Sequence, residues 1–278
     1  MLYKLSRLKL FIRQFIWYLL YGRFSKDPFN IKNHPLSKSY YLQVANVAKK
    51  NISKEFLRGI EEYFRILPPN NFVDNLALFT QIVKKKSELQ YSHGYLLYSA
   101  LNKYIQDNPN EAYTVLEIGT ARGFSSVMMA KALADSNSYG KVITIDVLPS
   151  DVPIYWNCIC DAEGKKTRFE ILQQWKDLVE KYIIFLQGYS DLVLRQIGLS
   201  RVHFAFIDGS HEYEDVKIDA EFVIKRQKKG DILIFDDYTL SKFPGVVKVV
   251  DEIVDSGKYS KHIFRADPTR SYAYCVRN

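Results

Sequence analysis

Cysteine is scarce in this chain: there are three in 278 residues, Cys158, Cys160 and Cys275. They make neither a disulfide framework nor a zinc pattern, because C-x-C alone lacks partner ligands, so a reducing, cytoplasmic setting is expected. Long hydrophobic runs are missing as well. The most apolar stretch, within residues 1–24, is interrupted by Arg13 and is too short to span a bilayer. No small-residue cleavage site follows it, so a signal peptide is not expected. There is no internal repeat, no low-complexity tract, and no G-x-G-x-x-G turn of the kind that brings a backbone against a pyrophosphate. Beyond residue 86 a basic excess is also lacking, since 23 Lys and Arg face 26 Asp and Glu. A nucleic-acid enzyme needs a basic catalytic face, so no nucleic-acid partner is expected.

What is present is an ordinary globular composition, 47% apolar and 25% charged, at a length that suits one domain plus an extension. The net charge of +8 is unevenly placed, because residues 1–86 carry 16 Lys and Arg against five Asp and Glu. These residues read as a basic helical N-terminal extension and residues 87–278 as the main domain. Within residues 1–24, Leu5, Leu8, Ile12, Phe15, Ile16 and Leu19 fall on one helical stripe, with Lys4, Arg7, Lys9, Arg13 and Arg23 off it. Such a helix packs on the domain or on a second copy of the chain, giving a homo-oligomer. Alternatively it lies on an anionic membrane surface at the inner face, with Trp17, Tyr18 and Tyr21 at the headgroups. Residues 25–42 read as an irregular connector, Gln43 to Leu67 as one or two helices stopped by Pro68-Pro69, and Phe72 to Lys86 as a helix whose end is the solvated Lys84-Lys85-Lys86. Ser92 to Ile105 is a further helix, and its start could close over the site that follows.

The organising stretch runs from Tyr113 to Ser126, Y-T-V-L-E-I-G-T-A-R-G-F-S-S. A β-branched run containing Glu117 reaches a glycine turn, Gly119 to Gly123, and then a helical run from Phe124 to Ala134. Strand, tight turn and helix in this order deliver a ligand to a helix N-terminus. Gly119 and Gly123 allow a sharp bend and a close approach to the main chain, and Ser125 and Ser126 fall in the first helical turn. A second strand, Val142 to Val147, contains Asp146, 27 residues after Gly119, where a carboxylate can grip a ribose diol. With T-I-D following E-I-G-T-A-R-G-F-S-S, the chain resembles the cofactor half of a class I S-adenosylmethionine-dependent methyltransferase.

Further strands are expected at Ile183–Gln187, Val202–Ile207 and Asp231–Phe235, with two more at Lys261–Arg265 and Ser271–Val276. Between the second and third, residues 148–182 form a long insertion that is either a lid or a packed excursion. In it, Tyr155 and Trp156 could supply flat apolar contact, and Lys165, Lys166 and Arg168 could meet an anion. The fourth strand ends in Asp208-Gly209-Ser210-His211 and the fifth in Asp236-Asp237. Adjacent parallel strands bring their C-terminal ends side by side, so these three carboxylates can converge, and crowded carboxylates favour a hard divalent ion such as Mg²⁺. Asp208 is equally suited to cap the next helix. His211 would face the same rim, able to take a proton from a hydroxyl, or would cap that helix or bond Glu214 or Asp215.

D-G-S-H-E-Y-E-D-V-x-x-D and F-D-D-Y resemble the metal-dependent O-methyltransferases of the catechol and macrolide-sugar types, over roughly Ser92 to Asn278. The resemblance implies an α/β Rossmann-like sheet of seven mostly parallel strands with an antiparallel final strand. It implies S-adenosyl-L-methionine at Glu117, Gly119, Gly123, Ser125, Asp146, Ser190 and Asp191, with Ser190 and Asp191 beside the adenine. It implies a divalent metal at Asp208, Asp236 and Asp237, with catalysis by Asp208 and His211. The histidine stands where the macrolide-sugar enzymes have one and the catechol enzymes have lysine, so the expected acceptor is a sugar or another small-molecule hydroxyl. Two rivals remain: a nicotinamide-dependent oxidoreductase, and a binding module, membrane-recruited or otherwise, that keeps the fold without catalysis.

Overall fold

The computed structural model describes residues 12, 28–29, 35–109 and 112–278. The amphipathic stripe of residues 1–24 therefore lies outside the described residues, except Ile12, which is helical and exposed. Among the described residues no helix is long and apolar enough to cross a membrane.

Seven strands form one sheet: β1 (Tyr113–Ile118), β2 (Gly140–Asp146), β3 (Ile183–Gln187), β4 (Phe204–Ile207), β5 (Ile232–Phe235), β6 (Tyr259–Asp267) and β7 (Arg270–Arg277). Their order is β3-β2-β1-β4-β5-β7-β6. β1 to β5 pair in parallel, and β7 runs antiparallel to both β5 and β6. The central strands are continuous apolar runs because helices cover both faces, leaving no solvent side on which to alternate. Period two is still present in which face each residue serves. Val115, Phe204, Phe206, Ile232 and Ile234 join one core, and Leu116, Ile118, Ala205, Ile207, Leu233 and Phe235 join the other.

The first core is closed by α1 (Lys38–Lys50), α2 (Lys54–Phe64), α3 (Asn70–Thr80), α4 (His93–Asp107) and α5 (Phe124–Asp135). Ser37 and Ser53 start α1 and α2 by accepting backbone N–H bonds from Tyr40 and Phe56, each at 3.2 Å. α1 thus begins inside the stretch expected to be irregular. α2 covers the β6 edge: Phe64 meets Phe264 and Tyr274 with ring centroids 5.5 and 5.4 Å apart. Two further helices, α9 (Tyr213–Ile224) and α10 (Pro244–Asp255), close the second core with Val216, Val223, Val246 and Val250. The helices of residues 38–80 share a core with the sheet, so the apolar interior is continuous across residue 86.

A second helix boundary differs from expectation, and one of the two readings left open for the insertion is favoured. The helix expected over Phe72–Lys86 ends at Thr80, and Lys84–Lys86 lie in a loop. The cause is Asn157, whose side chain accepts the Lys84 N–H and donates to the Lys84 carbonyl, both at 2.9 Å, replacing helical bonds with a clamp. The insertion is a packed excursion rather than an open lid at Trp156 and Arg168, which are fully buried. Trp156 donates through Nε1 to the Lys166 carbonyl at 2.7 Å. Arg168 opens the short α6 (Arg168–Ile171) and donates to the carbonyls of Ala121 (3.0 Å) and Leu148 (3.2 Å). Neither side chain is available to a substrate. Lys166 pairs with Glu163 at 3.5 Å, and Lys165 lies over the Tyr155 ring. The insertion then enters α7 (Lys176–Tyr182), which leads directly into β3.

Candidate active site

The glycine turn after β1 is built by close approach. Gly119 has φ +100°, and a Cβ there would overlap the Asp208 carbonyl oxygen at the end of the neighbouring β4. Asp208 N–H donates to Ile118 O at 2.8 Å, and Gly119 N–H to Ile145 O at 2.9 Å, so this residue ties three strand ends together. Gly123 also has positive φ, +95°, and its missing side chain leaves room for Leu172 of the insertion. Behind the turn, Glu117 is fully buried and accepts from Ser126 Oγ. Burial pushes its carboxyl up, against the opposing pull of the Ser125, Ser126 and Thr144 hydroxyls.

A cleft of about 420 Å³ opens at the C-terminal ends of β1, β2, β3 and β4. Gly119, Asp146, Ser190, Asp191 and Asp208 all line it, together with Gly188 and Tyr189. Ser190 and Asp191 stand in the single turn α8 (Ser190–Val193). The two Asp146 oxygens accept N–H bonds from Ala121 (2.6 Å) and Leu148 (2.8 Å), which fixes the carboxylate at the cleft wall. Glu117, Gly123 and Ser125 do not line this cleft; they support the turn from behind. A larger hollow, about 770 Å³, lies at the opposite end of the sheet beside Tyr113. Its acid, Asp135, is taken up by Tyr98 (2.8 Å) and Lys131. Ligands of open parallel sheets bind outside the carboxyl ends of the strands, which favours the smaller cleft.

Next to that cleft, Asp208, His211 and Asp237 bring one donor atom each within 4.8 Å of one another. His211 Nε2 lies 2.9 Å from Asp237 Oδ2, and its ring stacks on Phe243 at 4.3 Å. The Asp237 hydrogen bond raises the His211 pKa, and burial works against it. Burial, reinforced by the charge of Asp236, holds the Asp208 carboxyl well above its usual range. Asp237 has φ +55°, a strained conformation for a residue with a side chain. Two carboxylates and an imidazole at this spacing are chemically suited to a divalent cation.

The third expected carboxylate is engaged elsewhere. Asp236 is held by both Nε (3.2 Å) and Nη2 of Arg270, and its Oδ1 also accepts the Asp237 N–H at 2.6 Å. Burial would push the Asp236 carboxyl up, but the Arg270 charge and hydrogen bonds hold it below its ordinary value.

Sequence reasoning did not single out Arg270, Phe243 or Gly245 for the site. Arg270 arrives through the β7 register, in which Ala273 lies opposite Phe235. Nothing in D-P-T-R signals that contact. A Cβ on Gly245 would come 2.6 Å from His211 O and 2.7 Å from Tyr213 N, so this glycine lets α10 pack against the His211 loop. The glycine in F-P-G was a visible signal, although its purpose was not. His93, at the start of α4, is buried between Phe124 (4.9 Å) and Phe206 (6.3 Å), and burial lowers its pKa to about 3. It serves as a neutral packing ring.

Residues 116–238 match the family model of a methyltransferase domain. The fold is that of a class I methyltransferase. A putative O-methyltransferase from Klebsiella pneumoniae superposes with a TM-score of 0.56 at 14% identity, covering 79% of this chain and 96% of that one. The O-methyltransferase TomG of Streptomyces achromogenes, involved in tomaymycin synthesis and solved with S-adenosylmethionine, gives 0.53 at 15% identity over 79% and 96%. The O-methyltransferase NovP gives 0.53 at 15% identity over 87% and 100%. In sequence, an uncharacterized protein of Acanthamoeba polyphaga mimivirus is 28% identical over 182 residues, covering 62% of this chain and 72% of that one. Within the methyltransferase fold the 420 Å³ cleft occupies the ends of β1 to β4, and the acid–histidine group adjoins it at the ends of β4 and β5.

Proposed function

We propose that this chain transfers a methyl group from S-adenosylmethionine to a hydroxyl oxygen of a small molecule, a sugar or a glycan precursor. The observation that carries the reading is the double membership of Asp208. It lines the 420 Å³ cleft and also belongs to the group with His211 and Asp237. A donor in the cleft and a hydroxyl at the acidic group would therefore meet across one residue. The TomG complex with S-adenosylmethionine supports the choice of donor.

In this reading Asp146 accepts the ribose hydroxyls, Ser190 and Asp191 flank the adenine, and the Gly119 turn admits the donor against the backbone. The donor supplies an electrophilic methyl group. Asp208 and Asp237 would hold a divalent cation, Mg²⁺ or a relative, which supplies a Lewis acid that makes a hydroxyl easier to ionise. His211 is the proton acceptor. An ionised carboxylate can only accept, so Nε2 carries the proton donated to Asp237, and Nδ1 keeps the lone pair that takes the hydroxyl proton. Asp237 then stabilises the imidazolium, and Phe243 holds the ring plane. The insertion is pinned to the turn by Arg168, which donates to the carbonyl of Ala121 at the cleft wall.

The test is mass spectrometry across a panel of nucleotide sugars and glycans. The expected result is a gain of about 14 daltons, the net CH₂ left when a methyl group replaces a hydroxyl hydrogen, and it should stop with chelator and return with Mg²⁺. Equilibrium dialysis with S-adenosylmethionine and with nicotinamide dinucleotides checks the donor. Binding of the dinucleotide alone would replace this reading with an oxidoreductase.

A further inference from the structure

Asp236 sits at the end of β5, beside the proposed cation position, with its side chain 1% exposed. Both of its oxygens are engaged by the Arg270 fork, and Oδ1 takes the Asp237 N–H as well. To coordinate a metal, it would have to give up a two-pronged charged contact inside a desolvated pocket, where such contacts are strongest. Arg270 is itself held in place. It opens β7, its guanidinium lies 5.8 Å from the Tyr272 ring centroid, and the next residue, Ser271, accepts the Tyr238 N–H at 2.9 Å. Its Nε also comes within 4.0 Å of Asp237 Oδ1, so its charge bears on the oxygen that His211 leaves open.

We propose that Arg270 is a positioning residue that withholds Asp236 from the cation, leaving Asp208 and Asp237 as the carboxylates that hold it among the described residues. This rests on the cation assigned above. Charge balance points the same way. Asp208, Asp236 and Asp237 carry three negative charges when ionised, Arg270 returns one, and a single divalent ion neutralises the remaining two. A two-carboxylate site also leaves more of the ion's coordination positions for water and the acceptor hydroxyl, in keeping with the way Mg²⁺ is usually bound. Arg270 then sets affinity: it keeps one ligand occupied and adds a like charge next to the ion.

The test is direct Mn²⁺ binding to the full chain, read from the electron paramagnetic resonance signal of free Mn²⁺, with no turnover required. Arg270→Gln frees Asp236 and removes the competing charge, and is expected to tighten Mn²⁺ binding by about tenfold. Asp236→Asn with Arg270→Gln removes the pair as a unit, leaves net charge unchanged, and is expected to stay within about threefold of the unmodified protein. Asp237→Asn is expected to weaken binding by about tenfold or more. The double variant carries no unpaired buried charge, so it remains informative if Arg270→Gln alone does not fold. Loss of Mn²⁺ in the double variant to the same extent as in Asp237→Asn would make Asp236 a direct ligand and overturn the proposal. So would an Arg270→Gln protein that folds and binds no tighter. No Mn²⁺ binding by the unmodified chain removes the cation itself, and this proposal with it, without touching the assignment of the donor cleft.

Discussion

A Cβ on Gly119 would overlap the Asp208 carbonyl, and its φ of +100° is one that L side chains rarely adopt. Gly119→Ala therefore has to open the contact between the ends of β1 and β4. The expected cost is about 2 kcal/mol or more, read as a lowered midpoint in chemical denaturation, with loss of S-adenosylmethionine binding by calorimetry. Asp146 acts differently, because it is held by two N–H bonds and presents its carboxylate to the cleft. Asp146→Ala is expected to weaken S-adenosylmethionine binding by at least about tenfold, since a hydrogen bond to a charged group contributes roughly 1.5–3 kcal/mol. An unchanged dissociation constant would remove Asp146 from the donor site. At this scale the residues at strand ends were the legible ones, because a glycine or an acid after an apolar run has few other purposes. Glu117 and Ser125 were equally visible as residue types, but only packing shows that they support the turn and do not line the cleft. Arg270 was invisible, since its role depends on a partner 34 positions away in the chain.

Among the elements, the strands were the most legible, because a parallel strand covered on both faces must be apolar throughout and is bounded by turns or acids. Ile183–Gln187 appears with the expected limits, and β4 and β5 differ from theirs by one or two residues at the start. Helix ends were less legible. α3 stops at Thr80 because a side chain 73 positions later captures the Lys84 backbone, and no local signal records this. The 148–182 insertion left two readings open, and burial of Trp156 and Arg168 decides between them. Arg168 is its main fastening, donating to two carbonyls and to Ser150 while lying over the Trp156 and Phe185 rings. Arg168→Met is expected to cost about 3 kcal/mol, because three acceptors, the Leu148 carbonyl buried and those of Ala121 and Ser150 part-buried, lose their donor. Hydrogen exchange should speed up in residues 148–172 and stay slow in β1, β4 and β5. Uniform protection would mean that the insertion is held by other contacts.

At the scale of the whole molecule, the charge pattern suggested a basic helical extension, residues 1–86, ahead of the main domain. Packing joins the two. Ile60 and Leu76 are fully buried, and the Phe56 ring meets Tyr272 of β7 at 5.8 Å. A chain beginning at residue 87 keeps α4 and α5 but should lose the rest of the cover of that sheet face and behave as a molten, dye-binding species. A sharp, cooperative unfolding transition for that truncation would show instead that residues 38–86 are dispensable to the core.

The succession of strands along the chain, the glycine turn and the acids near the strand tips followed from sequence alone, since each is a local pattern with a local cause: apolar runs bury themselves, glycine permits the bend, and acids mark where the strand leaves the core. Which acids gather with His211, which arginine answers one of them, and which helices complete the core were decided only by the tertiary structure. Those outcomes depend on distances between residues far apart in the chain, and such distances exist only after the sheet has set its register.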